Sequence, residues 1–382
     1  MTFFQDDTSC MYPFGTAHSN GKILVGALTL AEYWVMVVDS GINNLEQGNG
    51  QNVLSLLEQG QLNDRWLPTA SAIKTLAGLH SGADLYFDNT PLFRWNASTD
   101  RLQRQFTADA QLLNSPTQLF SNAGEWITEQ VQEVVKKWSA TSASQIALPS
   151  HVNVIGPLEN LFIAPGAKAN ACTINTEAGP VLLGPESEIQ EGSNIRGPLY
   201  VGANSVIKMG SKVYGPTSIG EECRIGGEVS NSVFLGFANK GHDGFVGNSV
   251  IGHWCNLGAA TNTSNLKSNY SSVRLWDEST GEFNESGLQF CGLIMGDHSK
   301  SGINTMFNTG SVVGVGCNVF GSGFQPKHIP PFSWGGGTEW QKHEFEKFIQ
   351  TARSVMARRG YELLDTEIEL LKAEYKLDSK IA

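Results

Sequence analysis

The sequence predicts a mainly β chain whose centre is wound as a parallel β-helix, and three observations carry that reading. Every sixth residue from Leu183 is aliphatic: Leu183, Ile189, Ile195, Val201, Ile207, Val213, Ile219 and Ile225. The residue four places after each is usually small, as at Ser187, Ser193, Ser205, Ser211, Thr217 and Cys223, with Leu199 and Val229 larger. One bulky and one small inward position per six residues is what a short strand and turn need when they wall a narrow core. Third, Gly179-Pro180, Gly197-Pro198 and Gly215-Pro216 recur at eighteen, as do Gly184, Gly202 and Gly220. Three six-residue sides therefore make one coil, and the same turn chemistry returns at the same corner.

The elements follow in chain order. Residues 1–150 carry no such repeat. Ile23 to Leu28 reads as a strand or strand-turn, Ala31 to Val38 is apolar, and Trp126, Ile127, Val131, Val134 and Val135 have helical spacing. A small α/β domain is expected there. The repeat region runs from His151 to Gly321 and, with its closing segment, to residue 333. Its register is expected to break after Ile225, to resume at Val246, Ile251 and Leu257, and to break again over the polar stretch Asn262 to Gln289. It returns at Met295, Ser301, Phe307, Val313 and Val319. Insertions on a solenoid gather on a functional face. Over residues 338–382, Phe345, Phe348, Ile349, Ala352, Val355 and Met356 share one helical face, and a second helix spans about Asp365 to Tyr375. These helices are expected to cap the open end of the β-helix.

Composition narrows the function. The 382 residues include 37 acidic and 26 basic ones, a formal charge of -11 with no basic patch, so nucleic acid is not an expected partner. Cys10, Cys172, Cys223, Cys255, Cys291 and Cys317 are scattered without a close pair, which suggests neither disulfides nor a thiolate zinc site. The amino terminus lacks a basic region followed by an apolar stretch, and no apolar run reaches the length of a membrane span. A cytoplasmic protein with no membrane partner is expected.

The first break holds Asn239-Lys240-Gly241-His242-Asp243-Gly244-Phe245-Val246-Gly247. A histidine in a polar, glycine-flanked loop is suited to take a proton from a nucleophilic amine or hydroxyl. A lone loop histidine is more often a surface residue, so the spacing around it decides the weight it carries. That spacing, Gly241-His242, Val246-Gly247, Val250-Ile251-Gly252, Asn256-Leu257-Gly258-Ala259 and then Asn265, resembles the acetyltransferase half of the bacterial bifunctional enzyme of UDP-N-acetylglucosamine synthesis. More of the chain resembles a shorter group of alternative sugar nucleotidyltransferase/acetyltransferases. The matching strings are Phe4-Gln5-Asp6-Asp7, Asn63-Asp64-Arg65-Trp66-Leu67-Pro68, Ile155-Gly156-Pro157, Lys208-Met209-Gly210, Leu288 to Gly302 and Phe332-Ser333-Trp334-Gly335-Gly336.

The resemblance implies a left-handed β-helix behind a nucleotidyltransferase-like domain, a homotrimer, and transfer of acetyl from acetyl-CoA to an amino-sugar phosphate or nucleotide sugar. It makes His242 the general base, puts Phe245 and Asn265 at the acceptor, and lays Ala259 and Gly321 on the coenzyme A groove. Lys240, Asn262 and Lys267 complete the candidate substrate-binding set. Where that bifunctional enzyme has asparagine-tyrosine-aspartate-glycine, this chain has Asn265-Leu266-Lys267-Ser268, so its acceptor contacts do not carry over beyond Asn265.

The first domain lacks the usual G-x-G-T-R run, and basic phosphate ligands are replaced at Thr16-Ala17-His18 and Leu24-Val25-Gly26. Nucleotidyl transfer, with the Mg²⁺ it would need, is the alternative activity. A non-catalytic assembly protein is another alternative. A zinc enzyme would need His242, His253 and His298, whose spacing does not suit it. His298 and Lys300 could meet a coenzyme A phosphate or decorate a turn. Arg196 and Arg224 could hold a sugar phosphate or face solvent. Tyr270, Arg274 and Trp276 could cover an acceptor or clamp a loop.

Overall fold

The computed structural model describes the chain apart from residues 7–8, 16–19, 43–48, 80–81, 97–101 and 379–382. Asp7, Thr16, Ala17 and His18 therefore lie outside the described residues. The repeat closes into a triangular solenoid of three parallel sheets. Face one stacks strands such as Val181–Leu183, Leu199–Val201 and Thr217–Ile219. Face two stacks Glu188–Ile189, Val206–Ile207 and Arg224–Ile225, and face three Asn194–Arg196 and Lys212–Tyr214. In each coil the chain passes from face one over a first edge to face two, over a second edge to face three, and over a third edge back.

All eight aliphatic residues from Leu183 to Ile225 are buried in one core. Their small companions form a ladder down one line of it: Ser187, Ser205, Cys223, Ala238, Cys255, Ser299 and Cys317, all buried. The hydroxyls there turn to backbone, as when Ser205 Oγ donates to the Gly220 carbonyl at 2.7 Å and Ser299 Oγ to Gly314 at 2.7 Å. Most buried hydroxyls thus stay satisfied inside an apolar prism, Ser187 Oγ being an exception. The cysteines are free thiols.

The expected break after Ile225 is not a break. Val229 pairs with Val213, and Ile219 pairs with Phe234, fifteen residues on. Phe234 then pairs with Ile251, seventeen on. The coils shorten at their corners and the ladder continues. Two features hid this from the spacing: the steps change length, and the inward place on face two, filled by Ile225 one coil earlier, is taken by Lys240. The second expected break is a true insertion. Ile251 pairs with Met295, forty-four residues on, and between them Arg274–Asp277 and Glu282–Glu285 form a hairpin. Even so, Asn262 and Thr263 keep their places against Met306 and Phe307.

Face one is apolar on both sides. Leu182, Tyr200, Val233, Val250, Ile294 and Val312 point away from the prism and belong to the core of the first domain. Runs such as Leu293-Ile294-Met295, without alternation, are the sequence mark of a sheet covered on both faces. Faces two and three alternate apolar with polar residues, as in Lys212-Val213-Tyr214.

The covering domain is α/β, as expected. Among its described residues a mixed sheet runs Thr2–Phe4, Gly60–Asn63, Thr90–Trp95, Ala83–Phe87, Leu102–Gln105. Around it lie α1 (Leu30–Ile42), α2 (Asn49–Gln59), α3 (Ala70–Ala77), α4 (Thr117–Ser121) and α5 (Ala123–Trp138). α5 packs on face one. Gly26 makes the close approach possible: a Cβ there would lie 2.5 Å from Trp126 Cβ, and its carbonyl accepts from Ser218 Oγ at 2.6 Å. Thr69 caps α3, accepting from the Ala72 amide.

The last segment holds α6 (Phe345–Ala357) and α7 (Asp365–Asp378). These helices do not plug the open end of the prism. α6 lies along the first edge, where Phe348, Ile349, Ala352 and Met356 share a buried cluster with Trp254, Val315 and Phe332. Beyond it, Arg359 reaches back to Glu222 at 2.8 Å. The reason is the edge itself, which presents large aromatic rings that need cover. The final sheet edge is instead met by the antiparallel strand Glu339–Lys342.

Candidate active site

The second edge is rich in glycine and other small residues, with Met209 and Ile303 projecting from it. Gly226-Gly227, Gly241 to Gly244, Gly258 to Thr261 and Gly302 to Thr305 stack there, coil on coil. Gly227 allows the close stacking, since a Cβ on it would lie 2.9 Å from both the His242 carbonyl oxygen and Asp243 Cα, and Ala260 N–H donates to the Asp243 carbonyl at 2.9 Å. His242 stands on this edge, exposed. Its ring makes no hydrogen bond and no ring contact among the described residues.

Lys240 does not reach toward an acceptor. Its side chain fills the inward place next to Ile225 and is only 2% exposed. Its ammonium donates to the carbonyl of His242 at 2.5 Å. Burial brings its pKa down to about 8, with Asp243 opposing the shift. A lysine on a register position points inward whatever its charge, so its reach is spent on fixing the histidine turn.

On the neighbouring face three the other candidates gather. Phe245 N–H donates to Asn262 Oδ1 at 2.9 Å, and Asn262 Nδ2 donates to the Ala260 carbonyl. Asn265 Nδ2 donates to Asn248 Oδ1 at 2.9 Å. Gly247 lies under both groups: a Cβ on it would meet Phe245 Cζ at 2.5 Å and Asn265 Nδ2 at 2.7 Å. Asn248 was not among the residues the sequence singled out. Its signal was present, since Asn248 and Asn265 are seventeen apart, the spacing that pairs Asn239 with Asn256. Lys267 is tied to the inserted loop through the Ser272 carbonyl.

Ala259 shares the second edge with His242, and Gly321 lies further along it, beyond Gly302, whose absent Cβ makes room for Phe320. Gly321 borders a cavity of about 590 Å³ walled by Phe320, Trp334 and Trp340. His298 has a different place. It is 2% exposed on the first edge, its ring 6.5 Å from that of Trp254 and 6.0 Å from Phe348. Lys300 donates to the His298 carbonyl. Arg224 holds the carbonyls of Asn204 and Cys223, and Trp276 stacks on His328 at 3.9 Å. The clamp reading therefore describes Trp276. Among the described residues no group of three or more His, Cys, Asp or Glu side chains gathers to hold a metal.

In the first domain the two matched strings meet each other. Arg65 forks onto Asp6, with Nη2 to Oδ2 at 2.8 Å and Nε to Oδ1 at 3.0 Å, and it also donates to Asn114. It is 4% exposed, so this guanidinium is structural.

No protein-family model matches the chain. Over 90 residues it is 34% identical to the bifunctional protein GlmU of Methanocaldococcus jannaschii, covering 24% of this chain and 21% of that protein. The chain is similar to that protein over this segment alone. The matched segment spans about a fifth of that relative's length. Among solved structures, the polySia-specific acetyltransferase NeuO is 12% identical, covering 53% of this chain and 83% of its own, with a TM-score of 0.27. AntD, an N-acyltransferase from Bacillus cereus in complex with dTDP and 3-hydroxybutyryl-CoA, is 13% identical, covering 55% and 92%, with a TM-score of 0.23. The hexapeptide assignment itself rests on the eighteen-residue ladder. No helix is long and apolar enough to cross a membrane among the described residues.

Proposed function

We propose that the chain is an N-acyltransferase that moves an acyl group from acetyl-CoA, or a similar thioester, to the amine of an amino-sugar phosphate or nucleotide sugar. The observation that carries this is the exposed imidazole of His242 on an edge of small residues, with Phe245 and Asn265 packed side by side on the next face. His242 takes the proton of the attacking amine; the thioester carbonyl is attacked directly, and the thiolate leaves with a proton. Glycine and alanine at Gly241, Gly258, Ala259, Ala260 and Gly302 leave backbone reachable along the edge, which suits a donor that lies along it. From His242 to Gly321 is three coils, about 14 Å at roughly 4.8 Å per strand spacing. That is the scale of an extended pantetheine arm, and the cavity beside Trp334 and Trp340 offers a seat for what lies beyond it.

A trimer is part of the proposal. Met209 and Ile303, 71% and 72% exposed, stand on the same edge, and Phe320 and Phe324 follow at 40% and 60%. Large exposed apolar groups on both sides of the His242 turn suit cover by a second protomer. Expression and function in the cytoplasm belong to the same reading. Nucleotidyl transfer by the first domain gains no support, since Arg65 is already engaged by Asp6.

The test is thiol release from acetyl-CoA over a panel of amino-sugar phosphates and nucleotide amino sugars, with sedimentation of the same sample. Acceptor-dependent release by a trimer is expected. A monomer, or no release with any acceptor, overturns the reading.

A further inference from the structure

The first edge carries a cavity that acyl transfer does not use. It holds about 700 Å³, within the usual range for a small-molecule site, and lies where the first domain, the solenoid and the C-terminal segment meet. Two groups of aromatic rings form its walls. Trp138 of the first domain stacks on Tyr200 of face one, 5.2 Å apart and 23° from parallel. Phe237 stacks on Trp254, 4.2 Å apart and 14° from parallel, and Tyr361 stands edge-on to both at 4.8 and 5.7 Å. Each wall comes from a different part of the chain, so the site exists only when all three are assembled.

The charges around these rings are unequal. Lys137 is paired with Glu32 at 2.6 Å, His253 lies 3.5 Å from Asp297, and Lys22 lines the cavity but is exposed to solvent. Glu367 accepts from the Leu364 amide. Glu221 has no salt bridge and no side-chain hydrogen bond among the described residues, while its neighbour Glu222 is shared by Arg224 and Arg359. Burial, reinforced by Glu222 and Glu32 and opposed by His253 and Lys137, raises the Glu221 carboxyl above its ordinary range. Aromatic faces attract cations through their quadrupole, and an unmatched carboxylate beside them favours the same charge.

We propose that this cavity binds a small aromatic cation, its ring held between the two aromatic groups and its positive charge against Glu221. The site is independent of His242, which lies on a different edge of the solenoid. Binding there would join the first domain to the C-terminal segment across the solenoid.

Calorimetric titration of the intact chain with benzyltrimethylammonium, and separately with phenylacetate, tests it. Saturable binding of the cation is expected, with phenylacetate at least tenfold weaker. Glu221→Gln should weaken the cation fivefold or more, and Tyr361→Ala likewise, with unchanged unfolding midpoints and unchanged acetyl-CoA thiol release by Glu221→Gln. Tyr361 is 44% exposed, so its truncation leaves the fold in place. Absence of saturable cation binding, equal binding of phenylacetate, or full affinity in either variant overturns the proposal. None of these outcomes depends on whether acyl transfer is observed.

Discussion

The first and second edges run side by side down the same coils, yet they are made of opposite materials. One carries Phe237, Trp254 and His298 in successive coils, each at positive φ, with rings stacked and α6 laid over them. The other carries Gly241, Gly258 and Gly302 and leaves His242 in the open. A ring at a corner costs backbone strain and needs cover, so it marks packing. The second edge also has non-glycine residues at positive φ, Ala260 and Asn304, but its side chains, His242 and Ile303 among them, stay exposed and reachable. Two histidines on one solenoid thus have different fates, and the edge decides which.

The largest effect should separate them directly. If His242 is the general base proposed, His242→Ala should lower acyl transfer by roughly 10² to 10⁴ in kcat, with the unfolding midpoint unchanged. His298→Ala should leave kcat within about twofold and lower stability instead, because its ring fills space beneath Phe348. Steady-state kinetics and thermal unfolding on the two variants check this, and a reversed pattern would exchange the roles of the edges.

The covered edge predicts the next effect. Trp254 is 5% exposed and touches both Phe237 and the cluster under α6. Trp254→Ala should cost about 3 to 5 kcal/mol, seen in denaturant unfolding, and should loosen α6 first. Hydrogen exchange that rises in 345–357 before the solenoid strands would show that order.

Lys240 is where the two kinds of edge meet, a charged residue inside the prism beneath an open turn. Its folded pKa is depressed, so between about 8 and its unfolded value near 10.5 the unfolded chain holds the extra proton. Stability must then rise with pH across that window, and below it the buried ammonium is a standing cost of up to about 3 kcal/mol. Lys240→Met should therefore be more stable than the native chain at pH 7, with the gap closing as pH approaches 10.5. The same variant should lose activity, because the His242 carbonyl loses its donor. Urea unfolding against pH, beside kcat at pH 7, reads both halves. A variant less stable at pH 7 would mean that the hydrogen bond outweighs the burial.

Much of this architecture was legible, and its gaps have physical causes. The inward ladder from Leu183 to Ile225 could be read because a narrow core admits one bulky side chain per side. The coils around Val229, Phe234 and Lys240 could not, since a corner can lose one or two residues without harm to the stacked strands. The two-sided burial of face one was written in Leu293-Ile294-Met295, although which element covered it was not. For the C-terminal helices, the apolar stripe of α6 was plain, but a stripe names no partner. The partner was fixed by rings at Phe237, Trp254 and Phe332, which are separated in sequence and adjacent only after winding. At the candidate site the residue types were legible and the direction of Lys240 was not, because its place in the register depended on the shortened coil.

Gly247 gives the smallest effect and the finest test of the open side. Its φ lies outside the left-handed region, so alanine is acceptable to the backbone and only space is at issue. A Cβ would press on Phe245 at 2.5 Å and on the Asn265 amide at 2.7 Å. Either group can shift outward, since face three is uncovered there, so Gly247→Ala should cost only about 1 kcal/mol of stability. If these two side chains meet the acceptor, its KM should rise roughly three- to tenfold while kcat stays within about twofold, the mark of weakened ground-state and transition-state binding alike. Acetyl-CoA's KM should not move, because the edge from Ala259 to Gly321 is untouched. A change confined to the acetyl-CoA KM would put the donor on face three and the acceptor along the edge, reversing the two halves of the site.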